Sequence, residues 1–578
     1  MVAHQSLINK ALVVIGLFTI VLPTNAQDLV KKYFENNEPS VFKNNDITSS
    51  NRNDRTPVVS IKHFNIDKLN ELPKYDIFHA DLEKIIRQDQ EDNKQKYTVD
   101  RLEYLAEKLS IHYKKKGLIL AKVFFPPQDV RDSTLYLDVV LGEIEAISTS
   151  KNDYYSDKRL KRPFKDILDK PAYIPTLESS LIEVNDYPGI TLDTHFKTGS
   201  KTGKTQIDIQ VNDEKISDFN FSFDNYGSEY TGSMRAMLRA NFYNLADQAD
   251  QLNINLLATI DPSNSVYVGT SYRFKIAPYF QSSFLNSIFK HGWNTTLGYQ
   301  QTEYVAGGNI EAINYEGQAN TLYLKLDKDL ILRNSHKLNT GFVLSKKEAV
   351  TEQNGREESS DKLSIFTWTT QFRWNDRLSS PAANLIKFDF HQGLPGVAGA
   401  LENGDANISR TGIENGSSIQ APMDFKRYNL LISRNQGAGP YRFVSKLNMQ
   451  YTEDLLLASE LSNLGGAIAV RGYRNSDFSG DRSTILSMEI IGRSSAKKFA
   501  MPISDLRLAG FIDYGIGERL SPLGNEDSKA EMLSVGGYAQ FLNEGKFSSK
   551  MEIAMPLKAV GDSEKNGLEV LFNFERGF

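Results

Sequence analysis

Residues 234–242 read Met234-Arg235-Ala236-Met237-Leu238-Arg239-Ala240-Asn241-Phe242, and ten residues later Leu252, Ile254, Leu256, Ala258 and Ile260 alternate with Gln251, Asn253 and Asn255. A period of two with one apolar and one wet face is the pattern of a β-strand, not of a helix. A third run, Val266, Val268, Thr270, Tyr272 and Phe274, continues it. Similar runs recur at Trp293–Tyr299, Leu322–Leu326, Leu338–Leu344 and Leu363–Phe372. The last is Leu568, Val570, Phe572 and Phe574, ending on Phe578. Helical spacing is absent from about Asp218 onward. A soluble sandwich also has one polar face per strand, but runs of ten or more residues exceed ordinary soluble strands. A transmembrane barrel requires strands of that length, an apolar exterior, a polar lumen and aromatic girdles. At roughly 23 residues per strand with its connection, the segment 215–578 holds about sixteen strands, an even number.

Composition agrees with a membrane protein built from strands. The chain has 578 residues, 67 Lys and Arg against 72 Asp and Glu, and 40% hydrophobic residues. Mean hydropathy is −0.41. No segment beyond the N-terminal run approaches the ~20 consecutive apolar residues of a spanning helix, which excludes a helical membrane protein. A net charge of −5 excludes a generic basic nucleic-acid binder, so no nucleic-acid partner is expected. There is no cysteine, which removes disulfides, thiolate metal sites and Cys nucleophiles. The 26 Tyr and 32 Phe suit interfacial belts on a barrel.

Working toward the N-terminus, the wet and dry alternation gives way to mixed α/β patterning. Lys10, the apolar run Ala11–Leu22, Pro23 and Thr24-Asn25-Ala26 before Gln27 have the build of a secretory signal peptide, residues 1–26. Residues 27–55 comprise a short amphipathic candidate helix, Leu29–Phe34, and a polar linker too poor in apolar residues to form a core. Residues 56–147 form a first α/β module. In it Leu102, Leu105, Ala106, Leu109 and Tyr113 share one helical face, and Gly117 sits where a helix ends. Residues 148–214 repeat the order in shorter form, with helical candidates Leu160–Leu168 and Leu177–Val184, a break at Asp186-Tyr187-Pro188-Gly189, and strands Ile190–Phe196 and Thr205–Val211. The fold class is therefore membrane all-β plus α+β: a 16-stranded transmembrane β-barrel preceded by two small modules.

Specific residues carry a family resemblance. Asp224-Asn225-Tyr226-Gly227, then Thr231-Gly232, Arg235, Asn244 and Asp250-Gln251-Leu252, resemble the start of the barrel in two-partner secretion transporters. These are the TpsB type, of the hemolysin-activator and filamentous-hemagglutinin-transporter family, related to the outer-membrane insertase BamA. That family usually has glycines between the Asn and the Asp, where this chain has Asp247 and Ala249. Gly465-Gly466 followed by Val470-Arg471-Gly472-Tyr473, and Gly480-Asp481 beyond it, resemble the superfamily's V-R-G-Y/F loop. Phe511-Ile512-Asp513-Tyr514-Gly515 is similar to its F-x-D-x-G strand. Tyr113, Gly117, Pro127-Gln128, Val140 and Gly142 resemble the first polypeptide-transport-associated (POTRA) module, and Asn185-Asp186, Pro188 and Gly189 the second.

The resemblance implies an outer-membrane barrel in a Gram-negative envelope, with its modules in the periplasm. It implies export of an unfolded secreted protein, hemolysin-like or adhesin-like, without a cofactor. It also implies that the loop Val470, Arg471, Gly472 and Tyr473 folds into the pore, and that Arg471 meets Asp513 on the wall strand with Phe511 and Gly515. Alternation independently sets Phe511, Asp513 and Gly515 on one face and Ile512, Tyr514 and Ile516 on the other. A planar guanidinium meeting a carboxylate gives a bidentate contact that a lysine does not reproduce. Phe572, Phe574 and Phe578 resemble the terminal signal read by the barrel-assembly machinery. Leu29–Phe34 resembles the family's pore-plugging helix. Outer-membrane lipid is the remaining partner.

The modules are expected to lend a strand edge or a hydrophobic groove to an extended polypeptide, with Leu135–Ile144 and Thr205–Val211 as candidate edges. The eight histidines are scattered without H-E-x-x-H spacing, and there is no G-x-S-x-G elbow. Gly393–Gly399 does not lead a strand into a helix, so a phosphate loop is not indicated. A non-enzyme is therefore expected. Competing readings are an assembly factor that inserts other barrels, a passive porin or receptor, and a soluble β-rich adhesin. The α/β patterning of residues 58–212 argues against the porin.

Overall fold

The computed structural model of the protein describes residues 58–260, 264–276, 293–475, 477–494, 505–524, 526–543 and 547–578. The expected signal peptide, the candidate plug helix Leu29–Phe34 and the expected linker lie outside these residues. Two units are distinguished among the described residues, one running to Gly142 and including His195–Lys197, and one comprising Glu143–Thr194 and Thr198–Phe578.

The first unit is an α/β module. Thr98 caps the helix Val99–Lys115 by accepting from the Arg101 amide, and the buried face is Leu105, Ala106, Leu109 and Tyr113. The helix ends before Gly117, whose φ of +97° lies in the left-handed region that glycine tolerates. Residues 134–136 pair in parallel with His63–Asn65, and 138–140 pair antiparallel with Lys122–Phe124. Ile61, Tyr97 and Leu135 form the buried centre.

The second unit opens with Glu143–Ser150, which pairs in parallel with Lys204–Glu214. That pairing assigns the strand to the second module. The division between modules thus falls at Gly142, ahead of the boundary at 147 that the sequence pattern suggested. The sheet order sets Lys204–Glu214 between Glu143–Ser150 and Ile190–Thr198. Thr205–Val211 is therefore a central strand with both sides paired, not a free edge. Leu135–Ile144 is likewise divided among three strands, each with a partner. The strands with one open side in that sheet are the two edges, Glu143–Ser150 and Ile190–Thr198.

From Ser217 to Gly577, sixteen antiparallel strands among the described residues close into a barrel, the last pairing with the first over Asn220–Asp224. Closure satisfies every strand edge, which open sheets in lipid do not achieve. Outward positions carry large exposed apolar side chains such as Leu256, Leu322, Phe342, Trp368, Ile512 and Ile553. No helix among the described residues is long and apolar enough to cross a membrane; the strands cross it.

The sequence pattern shortens one hairpin. His336–Gln353 and Arg356–Asp376 have 18 and 21 residues, joined by Asn354-Gly355 with φ of +52° and +73°. Asn-Gly with both φ positive is the tight hairpin turn that matches strand twist. Residues 345–362 lose apolar alternation because the ribbon outruns the roughly 9–11 residues a bilayer needs, so lipid no longer selects one face.

The second module seats on the alternate turns of the barrel, which identifies their side as periplasmic. In its helix Ile174–Asn185, Glu183 pairs with Lys275 at 2.6 Å, and Glu178 accepts from the Asn334 amide at 2.7 Å. Asp186, just past the helix, meets Lys337 at 3.1 Å. The turn 244–250 receives the Ser156 amide and hydroxyl on Asp247, at 3.1 and 2.5 Å. Burial alone would raise the Asp247 pKa, but the bonds from Ser156, with Asn244 and the Arg159 charge, together outweigh it and hold the carboxyl below its usual range. Asn244, Asp247 and Ala249 all have φ near +50°. The turn thus keeps a left-handed shape that glycine favours, although none of these three positions is glycine. Ala249 has no side-chain polar group to offset that strain, so Ala249→Gly is expected to stabilise the folded barrel by about 1 kcal/mol. The check is the urea midpoint of the detergent-solubilised protein, and a lowered midpoint would overturn the assignment of strain.

Candidate functional site

The long outer connection between Tyr441–Thr452 and Arg482–Ser494 folds into the barrel. Its tip is shaped by backbone: the Gly466 amide donates to the Val470 carbonyl, and the Val470 amide to the Leu464 carbonyl. Gly472 has φ +87°, and a Cβ there would lie 3.3 Å from the Ala554 Cβ, so the chain runs close against the wall. Val470 and Tyr473 are buried with Leu464, Phe478, Ile485 and Met532 in one apolar cluster. The Tyr473 hydroxyl lies within hydrogen-bond distance of the Leu533 and Lys558 carbonyls, at 3.0 and 2.9 Å, and its one proton serves either, tying the loop to the outer end of the wall.

Arg471 is the centre of the site. Its Nε and Nη2 donate to the two oxygens of Asp513 at 2.7 and 2.8 Å, and its backbone amide reaches Asp513 at 3.2 Å. Nη1 donates to Glu489 at 2.7 Å and to Glu552 at 3.3 Å, and Nη2 to Ser487 at 3.2 Å. The guanidinium carbon lies 3.5 Å from the Phe511 ring centroid, a stacked cation–π contact. Asp513 is fully buried and Arg471 is 5% exposed. On the same strand Ile512 points out to the lipid face, 44% exposed. Charged groups taken this far from water are retained only when their hydrogen bonds are filled, and here the fork geometry of arginine fills them. The structure thus brings Val470, Arg471, Gly472 and Tyr473 against Phe511, Asp513 and Gly515. Gly515 is required by closeness: a Cβ there would stand 2.6 Å from a Val470 methyl.

Glu489 and Glu552 complete the site and were not evident from sequence. Each sits on the wet face of an alternating strand, beside Met488 and Ile490, or Met551 and Ile553. Their signal was a charge in that alternation, which many lumen positions share. Lys550 lies 2.5 Å from Glu552, and Tyr538 donates to Glu489 at 3.3 Å, so the cluster extends along the wall.

The three C-terminal phenylalanines lie elsewhere, on the outward face of the closing strand. Phe572 packs against Phe223 with centroids 5.7 Å apart, while Phe574 and Phe578 are exposed. Arg576, which interrupts that face, stacks 5.0 Å over the Phe578 ring. Among the described residues no group of three or more His, Asp or Glu side chains is placed to hold a metal ion.

Residues 203–536 match the family described as haemolysin secretion/activation protein ShlB/FhaC/HecB, and residues 76–142 match the ShlB-type POTRA domain. The heme/hemopexin transporter protein HuxB of Haemophilus influenzae is 24% identical over 468 residues, covering 79% of this chain and 77% of its own. The outer membrane transporter CdiB of Dickeya dadantii is 20% identical over 396 residues, covering 68% and 66%. The solved structure of CdiB from Escherichia coli superposes with a TM-score of 0.72 at 17% identity, over 95% of this chain and 96% of its own. CdiB from Acinetobacter baumannii gives 0.63 at 15% identity over the same shares. At these identities the structural likeness speaks to the fold.

Proposed function

The chain belongs to the haemolysin secretion/activation family ShlB/FhaC/HecB, and from that premise we propose how this outer-membrane transporter of two-partner secretion handles its cargo. Its periplasmic modules take an unfolded exported protein by strand addition, and the barrel passes that protein outward in extended form. The observation that carries the reading is the loop bearing Arg471, held by side-chain contacts inside a closed barrel. A wall with no edge admits passage only along its axis, and a loop held by hydrogen bonds can shift without breaking the wall. The open side of Ile190–Thr198 offers main-chain donors and acceptors to an extended segment with loose side-chain demands. Folding of the cargo outside would make its return unfavourable and drive net transport. On this reading the protein is not an enzyme, and Phe572, Phe574 and Phe578 serve its own assembly into the membrane.

The test co-produces the chain with the N-terminal secretion domain of an exported protein encoded beside it, with a photo-crosslinking residue at Thr191. Cargo in the medium together with adducts from position 191, and none from the central-strand position Ile209, is the expected result. Export without adducts anywhere along the two edges, Ile190–Thr198 and Glu143–Ser150, would remove strand addition. Restored assembly of other barrels in a cell depleted of its own assembly factor, with no cargo exported, would replace transport by insertion.

A further inference from the structure

We propose that Arg410 and Asp481 form a second anchor of the pore loop, fixing its outer root as Arg471 and Asp513 fix its tip. The inference rests on reading that loop as the movable obstruction of a polypeptide pore. Arg410 lies in a different outer connection, between Ala382–Gly393 and Lys426–Ala438. Asp481 ends the pore loop and is fully buried. One Asp481 oxygen accepts from Arg410 Nη1 at 2.7 Å and from the Leu456 amide at 2.8 Å. The other accepts from Arg410 Nη2 at 2.9 Å and from the Leu520 amide at 2.7 Å. Arg410 in turn donates to the Leu456 and Leu520 carbonyls at 3.1 and 3.3 Å.

One ion pair therefore joins three outer connections: the one carrying Arg410, the pore loop at both Leu456 and Asp481, and the one carrying Leu520. Both oxygens of the carboxylate are doubly used; all four bonds are charge-assisted, and the two from Arg410 form a bidentate pair. The pair abuts an apolar cluster in which Leu455, Leu456 and Leu457 pack with Phe425. The tip anchor shares no residue with it. The root and tip can thus be released separately, which makes Arg410 a positioning residue acting on the pore through the loop.

Cargo-free readouts keep this inference apart from the transport reading. Arg410→Ala is expected to assemble normally, shown by heat-modifiable gel mobility. Its opening frequency in planar bilayers should rise on the order of a hundredfold, since the variant loses both bonds to the buried carboxylate and each is worth about tenfold. Residues 453–463 should become cleavable by protease added to intact cells. Arg410→Lys should fall between, since an ammonium cannot bond both oxygens in the plane. A disulfide between Gly472→Cys and Ala554→Cys, clean because the chain has no other cysteine, should form in equal yield with and without Arg410. Loss of that cross-link in Arg410→Ala would overturn independence of the two anchors. Should the alanine variant fail to assemble, Asp481→Asn decides: opening frequency and protease resistance both at the parental level would overturn the proposal.

Discussion

Arg471→Ala is expected to reduce export about a hundredfold while the barrel remains in the outer membrane at its normal level. The wall is held by sixteen paired strands that do not involve Arg471, whereas the tip of the loop is held through it. Removing the guanidinium leaves Asp513 and Glu552, 0% and 1% exposed, without their shared cation. Breaking a buried pair from one side costs about 3–5 kcal/mol, which corresponds to a shift of two or more orders of magnitude in loop position. The carboxylates would then draw in water and the tip would leave the wall. Arg471→Lys is expected to recover little, because one ammonium cannot reach Asp513 in bidentate fashion, Glu489 and Ser487 together. Cargo in the medium and folded barrel in the membrane fraction are the paired measurements. Full export by Arg471→Ala at normal barrel level would remove Arg471 from the transport mechanism.

Gly515→Ala is expected to impair export by steric displacement alone, with no change of charge. A Cβ at 515 stands 2.6 Å from a Val470 methyl and 3.1 Å from Leu464. Both neighbours are fully buried, so the contact cannot be relieved by a side chain swinging into solvent. Overpacking of this kind costs about 1–3 kcal/mol, enough to lift Val470 and carry the adjacent Arg471 off Asp513. Val470→Ala removes the clashing methyl. The double variant Val470→Ala/Gly515→Ala is therefore expected to export better than Gly515→Ala alone, with a favourable coupling of about 1 kcal/mol. Export of the double variant no better than that of the single would show that Gly515 acts through something other than Val470.

Much of the architecture was legible as one-dimensional pattern. Alternation such as Met234 to Phe242 directly records lipid on one side and water on the other, so strand type and inward or outward sense followed from it. The same logic set Asp513 inward and Ile512 outward. It failed where lipid ends: the strand residues within 345–362 extend past the bilayer, where lipid no longer selects one face, and the Asn354-Gly355 turn was the signal that would have extended the hairpin. It also misjudged Thr205–Val211, because being central or at an edge depends on the partner on each side. A strand's own residues do not state that.

The residues around Arg471 divide along the same line. Val470 to Tyr473 and Phe511 to Gly515 are short contiguous segments and stand out by resemblance. Glu489 and Glu552, and likewise Arg410 opposite Asp481, are single residues far apart in the chain, each in ordinary surroundings. Local composition and period were enough to establish an exported β-barrel behind two α/β modules, since solvent acts on every strand separately. Which carboxylates share Arg471, and which connection clamps the root of the loop, arose only when sixteen strands closed on themselves and the loop folded inward. Closure converts distant positions into neighbours in a place with little water, and there each buried charge requires its partner.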